Sequence, residues 1–206
     1  WALFEQAGSS LNFFARDYVD LTIGGVTVDF AAFQSANPTF ILVLAPLFAM
    51  AWPALDKKKM NPSIPRKFAI ALVFVALGFY VLVFSIGQMQ DGDGKIPAIM
   101  LALCYLIHTS GELCLSPIGL SMVTKLAKPE ETGLAMGGWF LSIAGANYIA
   151  GLIASVATGG GEHGSAAGSI EQYATVFNQL FIMGVVLAVV FFIAAPFINK
   201  LMHGVK

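Results

Sequence analysis

Phe68-Ala-Ile-Ala-Leu-Val-Phe-Val-Ala-Leu-Gly-Phe-Tyr-Val-Leu-Val-Phe-Ser-Ile-Gly87 is a run of twenty residues without a charge. At 1.5 Å of rise per residue, a helix of that length spans about 30 Å, the thickness of a bilayer's hydrocarbon core. The rest of the 206-residue chain agrees with that reading. Hydrophobic residues make up 57% and charged residues 11%, and the mean hydropathy is +0.78. A soluble domain carries about 25% charge to wet its surface. This chain lacks the charge for a water-exposed surface, so a lipid-exposed one is expected. With a net charge of -1 and no basic patch, nothing suits it to nucleic acid.

Working outward from Phe68–Gly87, five further apolar segments fall at Trp1–Ala15, Pro38–Leu55, Ile96–Val123, Gly133–Thr158 and Tyr173–Ile198. The expected fold is therefore all-α, a polytopic transmembrane bundle of six helices. The first segment is short for a span, and Trp1 opens directly into it without a basic leader, which reads as a truncated first helix rather than a signal peptide. Of the 11 basic residues, all but Arg16 and Lys95 fall in Asp56–Lys67, Thr124–Thr132 or the C-terminal tail. Basic residues stay on the cytoplasmic side, so these connections and the C-terminus are expected inside, and Arg16–Asn37, Gln88–Lys95 and Gly159–Gln172 outside.

In the first outer loop, Leu21-Thr-Ile-Gly-Gly-Val-Thr-Val28 sets two β-favouring runs about a Gly-Gly pair, a β-hairpin signal. Glu162 and His163 in the last outer loop read as solvated residues, since no further metal ligands cluster nearby. Cys104 and Cys114, about 15 Å apart along one helix, are too distant for a disulfide and read as small core hydrophobes.

Two carboxylates lie within apolar segments, Glu5 and Glu112. An ionisable group at mid-bilayer costs roughly 2.5–3.5 kcal/mol on insertion scales, so each is a functional candidate weighed against an interhelical hydrogen bond or a snorkelling side chain. Around Glu112 the sequence runs His108-Thr-Ser-Gly-Glu112-Leu-Cys-Leu-Ser116-Pro117. The four-residue spacing puts His108, Glu112 and Ser116 on one expected helix face, and Pro117 removes a backbone hydrogen bond beside it, which bends helices. His108 itself reads as a packing residue. Asn37-Pro38 reads either as a helix N-terminus with Pro in its first turn or as a ligand contact. Trp139 lies away from the headgroup belt that usually holds tryptophan, as packing or as a pocket wall. Gly133, Gly137, Gly145 and Gly151 read as sites of close helix approach.

These residues resemble the C-terminal half of bacterial proton-dependent oligopeptide transporters of the major facilitator superfamily. The resemblance is carried by Trp1-Ala-Leu-Phe-Glu-Gln-Ala-Gly-Ser-Ser10, Asn37-Pro38, Glu112-x-x-x-Ser-Pro-x-Gly-Leu120 and Gly138-Trp-Phe140. It implies that residues 1–206 are helices seven to twelve of a twelve-helix fold, and that an N-terminal six-helix half is the missing partner. It also implies uptake of di- and tripeptides across the cell inner membrane, with a co-transported proton and no cofactor. By position, Glu112 resembles the carboxylate that pairs with the peptide's amino terminus, Asn37 and Ser116 polar contacts to the peptide, and Trp139 with Phe140 a side-chain pocket wall. Glu5 resembles the proton-coupling carboxylate of the seventh helix, which pairs with a first-helix arginine, and Leu120 an inner-gate residue. Alone, such a half is expected to be inactive. The alternatives are an intramembrane enzyme using Glu112 and His108, for which no nucleophile, metal-ligand pair or cofactor loop is visible, and an autonomous membrane bundle.

Overall fold

The computed structural model of the chain describes residues 1–159 and 168–202. Glu162, His163 and Lys206 lie outside the described residues. After a 3-10 turn at Phe4–Gly8 come α1 (Ser10–Tyr18), β1 (Val19–Asp20), β2 (Thr22–Ile23) and β3 (Val26–Thr27). The long helices α2 (Ala36–Lys57), α3 (Ile64–Gln88), α4 (Ala98–Leu126), α5 (Thr132–Ala157) and α6 (Ile170–Leu201) follow, with β4 (Ile96–Pro97) just before α4. These five helices are long and apolar enough to cross a membrane. Each lies within four residues of its expected bounds.

The first expected span departs from expectation, because 1–15 is not one helix. A break at Ser9 (φ −127°, ψ −100°) separates the 3-10 turn from the nine-residue α1. Polar side chains supply the reason. Gln6 Nε2 donates to the Ala2 carbonyl (3.0 Å), Ser9 Oγ to the Glu5 carbonyl (3.1 Å) and Ser10 Oγ to Gln6 Oε1 (2.6 Å). Side chains that bond nearby backbone in this way compete with the regular helical ladder.

The packing is centred on α3, which lies against α6 and α4. Val75, Phe79 and Leu82 of α3 meet Leu101 and Tyr105 of α4 and Phe177 and Leu180 of α6 in one buried cluster, which Phe14 of α1 joins. Phe14 packs on Tyr173 and Phe177 at 5.4 and 5.2 Å between ring centroids, within the range of favourable aromatic pairs. A stripe of small residues, Ala146, Ala150, Ala154 and Ala157, is the buried side of α5. No residue of α2 is buried.

Close helix approach occurs at other glycines than those expected. Nothing lies within 4 Å of a Cβ built at Gly133, Gly137, Gly145 or Gly151. A methyl at Gly78, Gly111, Gly119 or Gly184 meets a neighbouring helix. The first four face open space on α5.

The hairpin forms at the expected place. Thr22 pairs with Thr27 and Ile23 with Val26, and Gly24 and Gly25 both take positive φ (59° and 83°), as a two-residue I′ turn requires. A second, parallel pairing of Val19 with Ile96 joins β1 to β4 and fixes the end of α1 beside the start of α4. Across the same end of the bundle, Tyr18 Oη donates to the Gly168 carbonyl at 2.7 Å.

Candidate functional site

The two intramembrane carboxylates, far apart in sequence, line one cavity of about 230 Å³ together with Trp1, Phe4, Gln34, Asn37 and Tyr105. Glu5 comes from the 3-10 turn and Glu112 from the middle of α4. Asn37 sits in the first turn of α2, where Pro38 follows it. Its amide Nδ2 donates to Glu112 Oε2 at 2.8 Å and to Thr109 Oγ1 at 3.1 Å. Thr109 in turn donates to the Tyr105 carbonyl at 2.7 Å, so Asn37 is held by a hydroxyl that is itself fixed. A hydrogen bond to a carboxylate is shorter and stronger than a neutral one, and this one orients Glu112.

Glu112 is half-buried. Arg16 and Asp17 form an exposed ion pair at 2.7 Å, and among the described residues no Lys or Arg side chain pairs with Glu112 or Glu5. Glu5 instead stands beside the Asn147 side chain, whose amide donates to the Ile143 carbonyl at 3.0 Å, and lies near enough to Glu112 for the two charges to interact. The site therefore offers two carboxylates and a few amide and hydroxyl groups in an otherwise aromatic surround. It suits a ligand that carries a positive charge.

The expected polar face of α4 is split between two neighbours. His108 does not line the cavity. It is buried against Phe79, with 4.8 Å between ring centroids, and its Nε2 lies 3.0 Å from the Val75 carbonyl. Four residues advance a helix by about 40° past a full turn. That offset, with the notch at Gly78 into which the imidazole fits, carries His108 to α3 while Glu112 faces α2. The structure therefore does not pair His108 with Glu112. Both cysteines are free and buried, and α4 runs unbroken through Pro117.

The remaining candidates lie around the cavity rather than on it. Trp139 is half-buried over Gly119, and its ring stands edge-on to Trp1 at 6.0 Å. Trp1 lines the cavity, so Trp139 backs its wall. Ser116 and Leu120 are half-buried further along α4, and Phe140 is 56% exposed; none of the three lines this cavity.

Sequence reasoning missed Tyr105, Thr109, Gln34 and Asn147. Tyr105 lies seven residues, or two turns, before Glu112 on the same face, so helical spacing alone pointed to it. Gln34 sits in a 3-10 stretch, Phe30–Ser35, where no such periodicity applies.

The PTR2 model, which describes the POT family, matches residues 1–176. This chain belongs to the POT family. The peptide transporter YePEPT of Yersinia enterocolitica is 38% identical over 207 residues, covering 100% of this chain and 39% of the relative. Dipeptide and tripeptide permease A of Chromobacterium violaceum is 33% identical over 201 residues, covering 98% and 40%. Among solved structures, a peptide transporter POT in complex with sulfate superposes with a TM-score of 0.83 at 35% identity, over 98% of this chain and 39% of that one. A POT family transporter in complex with 5-aminolevulinic acid superposes with a TM-score of 0.80 at 28% identity, over 97% and 39%. The chain thus spans about two fifths of the length of the relatives it matches. With its family and its long apolar helices, it is part of a multi-pass membrane protein of a transporter family.

Proposed function

We propose that this POT chain supplies one half of the central site of a proton-driven di- and tripeptide transporter. Glu112 receives the peptide's amino terminus, and Asn37 holds the carboxylate in place while it contacts the peptide backbone. Trp1, Phe4 and Trp139 form an adaptable apolar wall for side chains of varying size. Glu5 carries the coupled proton, exchanging Asn147 for a cation of the N-terminal half when it ionises. No cofactor enters the cycle besides that proton. The basic loops and the C-terminus face the cytoplasm of the inner membrane, in line with the distribution of Lys and Arg.

One observation carries the reading. Glu5 and Glu112, more than a hundred residues apart, share one cavity and leave its negative charge for a cationic ligand to neutralise. A desolvated anion of this kind binds an ammonium group far better than a neutral one. Sites of this sort combine a largely apolar lining with a few placed polar groups.

The test uses the complete transporter in liposomes. With an inward proton gradient, Glu112→Gln should abolish dipeptide uptake, while Glu5→Gln should stop accumulation yet retain peptide exchange at equal pH. Normal concentrative uptake by Glu112→Gln would overturn the role of Glu112, and proton-driven accumulation by Glu5→Gln that of Glu5.

A further inference from the structure

A second cavity, of about 640 Å³, opens between α2, the start of α3 and α4, toward the Lys57 end of α2. Its wall is apolar, with Phe48 and Trp52 of α2, Ile64 of α3 and Leu113 and Ile118 of α4. Its polar residues are Asp56, Asn61, Lys67 and Ser121. Lys67 is only 7% exposed, and its ammonium lies 4.4 Å from the centre of the Trp52 ring. Among the described residues it forms no ion pair within 4.0 Å, although Asp56 lines the same cavity. Asn61 donates from Nδ2 to Asp56 Oδ1 at 3.4 Å, and its Oδ1 is buried without a hydrogen-bond partner.

A buried ammonium with no hydrogen-bond acceptor or ion-pair partner among the described residues, and a buried amide oxygen with no donor, are each costly. Together they define a ligand. The lysine asks for an anion. Asp56 and Asn61 Oδ1, on the same cavity, ask for a cation that carries N–H donors. The apolar wall asks for hydrocarbon, and the cavity sits beside the basic Lys57–Lys59 connection, where a helix meets the headgroup level. We propose that it binds the headgroup and upper acyl chain of a phosphatidylethanolamine. The phosphate accepts from Lys67, the primary ammonium donates to Asp56 and Asn61, and the acyl chain lies along Phe48 and Ile118. The assignment rests on the chain being membrane-spanning and is independent of the peptide site.

The complete transporter, purified in detergent, is exchanged in parallel with phosphatidylethanolamine, phosphatidylcholine and phosphatidylglycerol, and retained lipid is counted by native mass spectrometry. Phosphatidylcholine keeps the phosphate but has no N–H donor, and phosphatidylglycerol has no cation. Phosphatidylethanolamine should be retained about tenfold better than either, the effect of one charge-assisted hydrogen bond. Soluble glycerophosphoethanolamine should not compete, because it lacks the acyl chain. Lys67→Gln should lower retention of all three lipids. Asp56→Asn, at an exposed position that leaves the fold intact, should erase the preference for phosphatidylethanolamine alone. Equal retention of the three lipids by the native protein, or an unchanged preference in Asp56→Asn, would overturn the proposal. So would a structure of the complete transporter with its own side chains filling this cavity, or competition by glycerophosphoethanolamine at concentrations equal to the lipid.

Discussion

Asn37 Nδ2 donates to Glu112 Oε2 at 2.8 Å, across 75 residues of sequence and between two helices, α2 and α4. The bond ties the start of one helix to the middle of another and sets where the Glu112 charge points. Asn37→Ala removes a hydrogen bond to a charged group, which is worth about 1.5–3 kcal/mol. In the complete transporter, dipeptide KM should rise roughly tenfold or more, since each 1.4 kcal/mol is tenfold. Asn37→Asp should be worse, because it sets a second carboxylate against Glu112. A KM within twofold of the native value for Asn37→Ala, measured in liposomes, would show that Glu112 is oriented by something else.

His108 and Gly78 form a lock between α4 and α3. A methyl at position 78 would occupy the imidazole ring of His108, and the ring is fixed by the Val75 carbonyl. Overpacking of this kind costs about 1–3 kcal/mol. Gly78→Ala should therefore lower the Tm in detergent, and adding His108→Ala should return part of the loss. Two variants that simply add would show that the side chains do not share this space.

Trp139 and Gly119 pair in the same way between α5 and α4. A methyl on Gly119 would enter the six-membered ring of the indole and push it toward Trp1. Gly119→Ala should shift the tryptophan emission and lower peptide affinity by altering the cavity wall, and Gly119→Ala with Trp139→Phe should recover stability. Unchanged emission and affinity in Gly119→Ala would remove Trp139 from the wall.

Tyr18 Oη donates to the Gly168 carbonyl at 2.7 Å and joins the end of α1 to the approach to α6. Tyr18→Phe keeps the ring on Tyr173, at 5.6 Å between centroids, and removes only the hydroxyl. Stability should fall by about 1 kcal/mol, the usual net worth of one hydrogen bond, with peptide uptake unchanged. A Tm equal to that of the native protein would mean that water replaces the hydroxyl at no cost.

The long helices were legible because a membrane-spanning helix is written in composition. Phe68–Gly87 has no polar side chain able to end it early, and α3 covers it at Ile64–Gln88. The hairpin at Leu21–Val28 was legible because Gly24-Gly25 permits the positive φ values that the turn needs. The first segment was misread for the opposite reason. Gln6, Ser9 and Ser10 look like minor interruptions in an apolar run, yet their side chains bond the backbone and each other and break the helix at Ser9. His108 is the packing residue that the sequence suggests, but it leaves the face of Glu112 because a spacing of four residues names a face only to within about 40°.

By itself, the sequence determined that this is a chain of apolar helices with Glu5 and Glu112 inside them, since charge that is absent cannot wet a surface and charge that is present in lipid needs a reason. Only the tertiary structure decided what those charges meet. It gave Glu112 to Asn37 and withheld His108 from both. It brought Glu5 into the same cavity and turned Lys67 inward on Trp52 when its neighbours in the basic loop are exposed. Partners of this kind are fixed by which helix lies opposite and how it is rotated, and no local pattern in one segment contains that information.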